Sequence, residues 1–204
     1  LKVVYSIPDH IEDSLISRAA GNGHQAIRVG NSSMFESFPD ADLFIDGLFS
    51  GFFFNTDKPL LFHAPAPVWK FLPSAPPNSA RICVWPGFWE RDLWEYVPKP
   101  GSAVNWALLM QQIGIQAKPV PDIPGMIAPR ILATIINEAI YTLHAGIASG
   151  KDIDTAMRLG TNYPLGPIEW GSAIGGIEIN RVLKSMEESD KRYAPHVDLM
   201  QQLQ

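Results

Sequence analysis

The chain has 204 residues, 46% of them hydrophobic, a formal net charge of −5 and a single cysteine, Cys83. No block of Lys or Arg stands out, which argues against nucleic acid and anionic membranes as partners. One thiol excludes an internal disulfide and a thiolate metal site. No run of about 18 apolar residues could span a bilayer, and the start shows no basic segment followed by an apolar one and a cleavage site. The expectation is a soluble, cytoplasmic protein of one domain or two small ones.

The first half alternates short strands and helices. "KVVYSI" (2–7) reads as a strand. "PDHIEDSLISRAAGNG" (8–23) reads as a helix, with Ile11, Leu15, Ile16 and Ala19 at helical spacing. Pro8 suits a first helical position, Asp9 and Glu12 suit the positive helix end, and "GNG" is a stop signal. "HQAIRVG" (24–30) is a second strand, completing a βαβ-type unit. Further strands are expected at 41–49, 58–64, 80–85, 93–97 and 115–120, with an amphipathic helix at 102–114. They form a shortened, mostly parallel sheet of five or six strands. "LFIDGLFSGFFF" (43–54) is the most apolar stretch, broken by Asp46, Gly47 and Gly51. It is read as a buried strand and its turn, the turn serving as a pocket wall or a dimer contact.

After "PDIPG" (121–125) the pattern becomes helical. A long helix is expected over 126–149, with Ile131, Ile135, Ile136, Ala139, Ile140 and Leu143 as its apolar face. Others follow at 150–160, 164–176, 177–190 and 195–204. The division is therefore 1–121 for an α/β domain and 122–204 for an all-α domain.

Several ordered motifs mark the second half: Pro124–Gly125, Asn137–Glu138–Ala139, Asp152–Ile153–Asp154, Ala156–Met157, Leu159–Gly160 and Pro164–Leu165–Gly166–Pro167. In this order they resemble the C-terminal domain of the 3-hydroxyacyl-CoA dehydrogenase family. Gly125 before a helix permits a sharp turn, and Pro167 fits a first helical turn. The resemblance implies a Rossmann-like α/β fold followed by an all-α domain, an acyl-CoA substrate, NAD as cofactor, and a homodimer formed through the C-terminal helices.

The first half matches that family less closely. "LKVVYS", "GHQAIRVG", "DADLFIDGLF", "KPLLFHA" and "LWEYV" resemble strands of its nucleotide-binding domain, but the short span between Val29 and Ala41 leaves out a helix, a helical arm and a strand. A dinucleotide pyrophosphate needs glycines, outward N–H groups and a helix N-terminus. The corresponding turn here is Ser6, Ile7, Pro8, Asp9, His10 and Ile11, with no glycine. Pro8 removes an N–H. Asp9 and Glu12 place negative charge where the phosphates would lie; one close pair costs roughly 4 kcal/mol at an effective dielectric near 20. Gly30–Asn31 stands where an acidic ribose ligand is expected. No NAD binding of the usual kind is expected.

The resemblance also implies a catalytic histidine oriented by a glutamate, with a serine and an asparagine at the substrate oxygen. Glu95 is the remnant of the glutamate. The histidine position falls near Cys83, the serine near Ala66, and the asparagine has become Pro129. A glutamate without its imidazole cannot take a hydroxyl proton in step with hydride transfer. His63, at the carboxyl end of a strand, is a candidate displaced base, set against a purely structural histidine. Cys83 as a nucleophile is set against an inert thiol in a strand. The histidines at 10, 24, 63, 144 and 196 show no ligand spacing, so no metal is expected. Asp152 and Asp154 are expected to cap and solvate a helix. Trp85, Phe88, Trp89, Trp94 and Tyr96 either pack the fold or line a pocket for an acyl chain or an adenine ring.

Two readings remain. One is a divergent relative without hydride transfer, a dimeric binding or scaffold protein for an acyl-CoA-like ligand. The other is an active NAD-dependent oxidoreductase on a 3-hydroxyacyl-CoA or related 3-hydroxy acid. Catalytic groups supplied by another subunit are a further option.

Overall fold

The structure, a computed structural model, describes residues 1–11 and 13–203. Glu12, expected near a helix end, lies outside the described residues, as does Gln204. The chain forms two compact units, Leu1–Asp122 and Ile123–Gln204. Asp122 goes with the first because its carboxylate is bonded to Arg81 and to the Trp69 amide.

The first unit runs β1 (Lys2–Ser6), α1 (Leu15–Gly21), β2 (Gln25–Arg28), β3 (Leu43–Asp46), β4 (Leu60–His63), β5 (Ser79–Ile82), β6 (Leu93–Pro98), α2 (Trp106–Gln112) and β7 (Gln116–Pro119). All seven strands join one sheet, in the order β2-β1-β3-β4-β5-β6-β7, rather than the five or six expected. Every pairing is parallel except β5 with β6. The fold is Rossmann-like α/β followed by a helical unit.

Strand side chains alternate between two faces. Val3, Tyr5, Leu43, Ile45, Leu61, Ala80 and Ile82 enter one buried cluster with Leu15 of α1 and Trp106 and Met110 of α2. The alternate residues Phe44 and Phe62 meet rings from loops. Phe35 lies 4.9 Å from Phe44, and Phe54 lies 5.1 Å from it. Phe53 and Trp69 sit 5.0 and 5.8 Å from Phe62. With only a 3-10 turn (Ser32–Ser37) between β2 and β3, these phenyl groups supply apolar cover that a crossover helix would otherwise give.

One element is corrected. The described residues 8–11, 13 and 14 are not the first half of a helix; α1 begins at Leu15. Ile7 and Ile11 are instead buried in the same cluster as β1, and the Ile11 amide bonds to Pro8 O in a local turn. Burying two isoleucines beside the strand end outweighs the helical start signals at Pro8 and Asp9.

The second unit contains α3 (Ala128–His144), α4 (Gly150–Thr161), α5 (Pro167–Ile174), α6 (Gly176–Glu187) and α7 (Leu199–Gln202). The long helix stops at His144, and Gly146 (φ +67°) turns the chain. Its buried stripe is Pro129, Leu132, Ala133, Ile136, Asn137, Ala139 and Ile140, so the face is rotated from the expected one and Ile131 is exposed. Asp154 is not a solvated cap of its own helix. It is buried and accepts the Ile168 and Glu169 amides at 2.8 and 3.1 Å, satisfying the first turn of α5. No described helix is long and apolar enough to cross a membrane.

Candidate ligand site at the carboxyl edge of the sheet

In open α/β sheets, ligands bind beyond the carboxyl ends of the strands where strand order reverses. Here that point lies between β1 and β3, since β2 flanks β1 on the other side. Ser6 ends β1, Asp46 ends β3 and His63 ends β4. Gly47 follows Asp46, and a Cβ there would come within 2.6 Å of Ser6 O. The glycine thus lets the two strand ends close together.

Asp46 is only 3% exposed. Its Oδ1 accepts from Ser6 Oγ and from the Leu48 amide, each at 3.2 Å, and it bonds the Ser32 hydroxyl. Burial pushes its carboxyl above the usual carboxylate range; the Ser32 and Ser6 hydroxyls, the Leu48 amide and the nearby His63 offset part of that. His63 is half-buried, and its Nδ1 accepts the Val84 amide at 2.9 Å. That bond leaves Nε2 as the protonated nitrogen of the neutral ring. A groove of about 360 Å³ lies alongside, with Asn31, Ser32, Ser33, Glu36 and Ser50 on its polar wall and Phe52, Phe53 and Phe54 on the other. Phe52 is 83% exposed.

The turn after β1 is arranged around a cation. Arg28, the last residue of β2, donates to Ile7 O at 3.2 Å, Pro8 O at 3.4 Å and Asp9 Oδ1 at 2.9 Å. Its other terminal nitrogen lies 3.9 Å from Asp13 Oδ2. Asp13 in turn accepts from the Tyr5 hydroxyl at 2.6 Å and from the Leu15 amide at 3.2 Å. Carbonyl oxygens and carboxylates therefore converge where a pyrophosphate would need converging N–H groups. The chain's own carboxylate holds the amide at the start of α1. Asn31 is similarly committed, its Oδ1 accepting the Ser33 amide at 3.0 Å. The residues present do not fit a dinucleotide held in the usual way.

The remaining expected residues are spread along the sheet. Glu95 is half-buried on β6, in register with Lys118 of β7. Cys83 is half-buried just past β5. Trp85, Phe88, Trp89, Trp94 and Tyr96 are all buried, with Tyr5 stacked on Trp89 at 5.8 Å and Trp94 at 4.7 Å from it; they pack the fold. Asp46, Arg28 and Asp13 are the residues that sequence reasoning missed as site-forming. A carboxylate inside the apolar run "LFIDG" was the available signal, because an aspartate is seldom fully buried without a task.

In the helical unit, His144, His196 and Asp198 come together although they show no ligand spacing in the sequence; their donor atoms lie within 4.8 Å of one another.

The sequence pattern described as "3-hydroxyacyl-CoA dehydrogenase, C-terminal domain" matches residues 125–203, so the helical unit is similar to that domain. It is 46% identical over 99 residues to a 3-hydroxyadipyl-CoA dehydrogenase of Escherichia coli K12, a match covering 47% of this chain and 21% of that protein. Matches to 3-hydroxybutyryl-CoA dehydrogenases of Bradyrhizobium diazoefficiens and, as a probable enzyme, of Bacillus subtilis cover 29% and 33% of those proteins. The matched segment thus spans a third or less of these relatives. The fold is similar to that of (S)-3-hydroxybutyryl-CoA dehydrogenase PaaH1 from Ralstonia eutropha, with a TM-score of 0.75 at 16% identity over 98% of this chain and 92% of that one.

Proposed function

We propose that this chain is a divergent 3-hydroxyacyl-CoA dehydrogenase relative that binds an acyl-CoA-like ligand without the usual NAD-dependent hydride transfer. The observation that carries this reading is the Arg28 cluster: it turns Ile7 O, Pro8 O, Asp9 and Asp13 inward on a guanidinium. A second observation agrees with it. His63, the imidazole on the carboxyl edge, accepts the Val84 amide at Nδ1, so in the neutral ring that nitrogen is already engaged rather than held ready for a substrate proton.

The second subunit of this reading is another copy of the chain. In the helical unit a groove of about 390 Å³, lined by Ile135, Ala139, Ile153, Ala156, Met157 and Pro167, is almost wholly apolar. Ile131, Ile147 and Leu159 are exposed in the same unit. The groove with its exposed apolar neighbours supports association with a second copy. Analytical ultracentrifugation of the wild type and of Ile135→Glu tests it, with a dimer that the substitution converts to monomer as the expected result.

The competing reading, an active NAD-dependent enzyme on a 3-hydroxyacyl-CoA, is favoured by the 46% identity to the Escherichia coli 3-hydroxyadipyl-CoA dehydrogenase. Calorimetric titration with NAD+, NADH, CoA and acetoacetyl-CoA decides between them. The proposal expects no micromolar binding of either nicotinamide and a thermal shift with the acyl-CoA. A ligand at a hundred times its dissociation constant adds about 2.7 kcal/mol. Micromolar NAD(H) binding with turnover of 3-hydroxybutyryl-CoA overturns it.

A further inference from the structure

The cluster at the end of α3 has the make-up of a metal site. His144 is the last residue of that helix, and its Nδ1 lies 3.0 Å from Asp198 Oδ2. The same carboxylate oxygen is 4.0 Å from His196 Nδ1, and the two imidazole centroids are 4.7 Å apart. Two imidazoles and a carboxylate thus face one small volume.

Two of the donors are held in place before any ion arrives. The His196 side chain is 7% exposed. Its backbone amide donates to Asn137 Oδ1 at 2.8 Å, and Asn137 Nδ2 donates back to Ala194 O at 3.0 Å. The Tyr141 ring meets the His196 ring edge-on at 4.6 Å. Asn137, Tyr141 and His144 recur at helical spacing, so one face of α3 clamps the segment that bears His196 and Asp198. The Asp198 amide donates to His196 Nδ1 at 3.1 Å. That contact fixes the tautomer, with the bare nitrogen turned toward Asp198. His144 is 61% exposed.

We propose that His144, His196 and Asp198 bind one divalent transition-metal ion of the zinc class, with the remaining positions open to water. Imidazole with one carboxylate suits Zn²⁺, Co²⁺, Ni²⁺ or Cu²⁺, whereas Mg²⁺ and Ca²⁺ demand oxygen donors. At bonds of about 2.0–2.1 Å, tetrahedral donors stand roughly 3.3 Å apart. The 3.0 Å edge is close to that and the 4.0 Å edge must contract; the ion takes over the His196 lone pair from the Asp198 amide. Bound there, the ion ties the end of α3 to the segment leading into α7.

The test uses the whole chain with any affinity tag removed. Calorimetry with Zn²⁺ and absorption spectroscopy with Co²⁺ are expected to give one ion per chain at micromolar affinity, with visible Co²⁺ bands of low coordination number. His144→Ala and Asp198→Asn should each weaken Zn²⁺ by more than about tenfold, the least that disturbing even a residue behind a ligand costs. His10→Ala, in the other unit, should leave it unchanged. Zn²⁺ should raise the unfolding temperature of the wild type and not of His144→Ala, whose helical circular dichroism stays intact. No binding at micromolar Zn²⁺, affinity unaltered by His144→Ala and Asp198→Asn, or equal binding of Mg²⁺ overturns the proposal.

Discussion

The Tyr5 hydroxyl donates a 2.6 Å hydrogen bond to Asp13, across the turn that follows β1. Tyr5 is fully buried, and burial first, then this bond, pushes its phenol above the ordinary range. The pair anchors the turn to the strand while Asp13 also holds the Leu15 amide. Asp13→Ala strands a buried hydroxyl and an orphan helix amide, at about 1–3 kcal/mol. Tyr5→Phe in the Asp13→Ala background should cost less than in the wild type, because the hydroxyl has already lost its partner. Urea unfolding of the four proteins measures the coupling, and additivity within error would show that the bond is not what anchors the turn.

Asp46 makes the first unit sensitive to pH in a defined direction. Its folded carboxyl is pushed above the unfolded value, chiefly by burial. The folded state therefore holds the proton more tightly, and stability falls as pH rises from the ordinary carboxylate range near 4 through the raised folded value. Asp46→Asn keeps an acceptor for Ser6 and Leu48 and removes the charge. The variant should gain on the wild type steadily between acid and neutral pH, then run parallel to it. Denaturant midpoints across pH read this directly; a difference that does not change with pH refutes it.

Arg81 is fully buried on β5 and donates to Ala64 O, Pro67 O and Asp122. Burial lowers its tendency to stay charged and Asp122 restores part of it. Asp122→Ala leaves a buried guanidinium without its counter-charge and the Trp69 amide without an acceptor, an expected loss of about 3–5 kcal/mol. Asp122→Asn, which retains the acceptor, should fall in between. Guanidinium unfolding curves rank the three, and an Asp122→Ala protein as stable as the wild type would exclude this role.

Gly166 and Asp154 explain each other. A Cβ at Gly166 would overlap the Asp154 carboxylate, which caps α5 through the Ile168 and Glu169 amides. Gly166→Ala should cost on the order of 1–3 kcal/mol by displacing that carboxylate, and Asp154→Ala about 1 kcal/mol by removing the cap. In the Asp154→Ala background the added methyl has room, so the double mutant should lose less than the sum. Thermal melts of the four chains test this coupling.

Much of this is legible in the sequence. The apolar run around Phe44 announced a buried strand, the segments around Val3, Leu61 and Ala80 announced further strands, and the ordered motifs from Pro124 to Pro167 announced the helical unit. The absence of glycine from Ser6–Ile11 was also legible there. Other features depend on distant partners. Helical spacing at Ile11 and Leu15 was real, yet Ile7 and Ile11 are claimed by the core beside β1. The rotation of the α3 face, which exposes Ile131 and buries Asn137, follows from what packs around the helix rather than from its own pattern. His144, His196 and Asp198 converge from distant positions in the sequence, where Asn137 holds the chain at Ala194 and His196.

Arg28 also sets the terms for any redesign. Grafting a glycine-rich sequence onto residues 6–11 would remove steric bulk but leave Arg28 and Asp13 in place, and the new backbone would still be drawn carbonyl-first toward the guanidinium. A cofactor cradle here requires the polarity of the whole bend to be inverted, which means changing the end of β2 together with the loop it has come to govern.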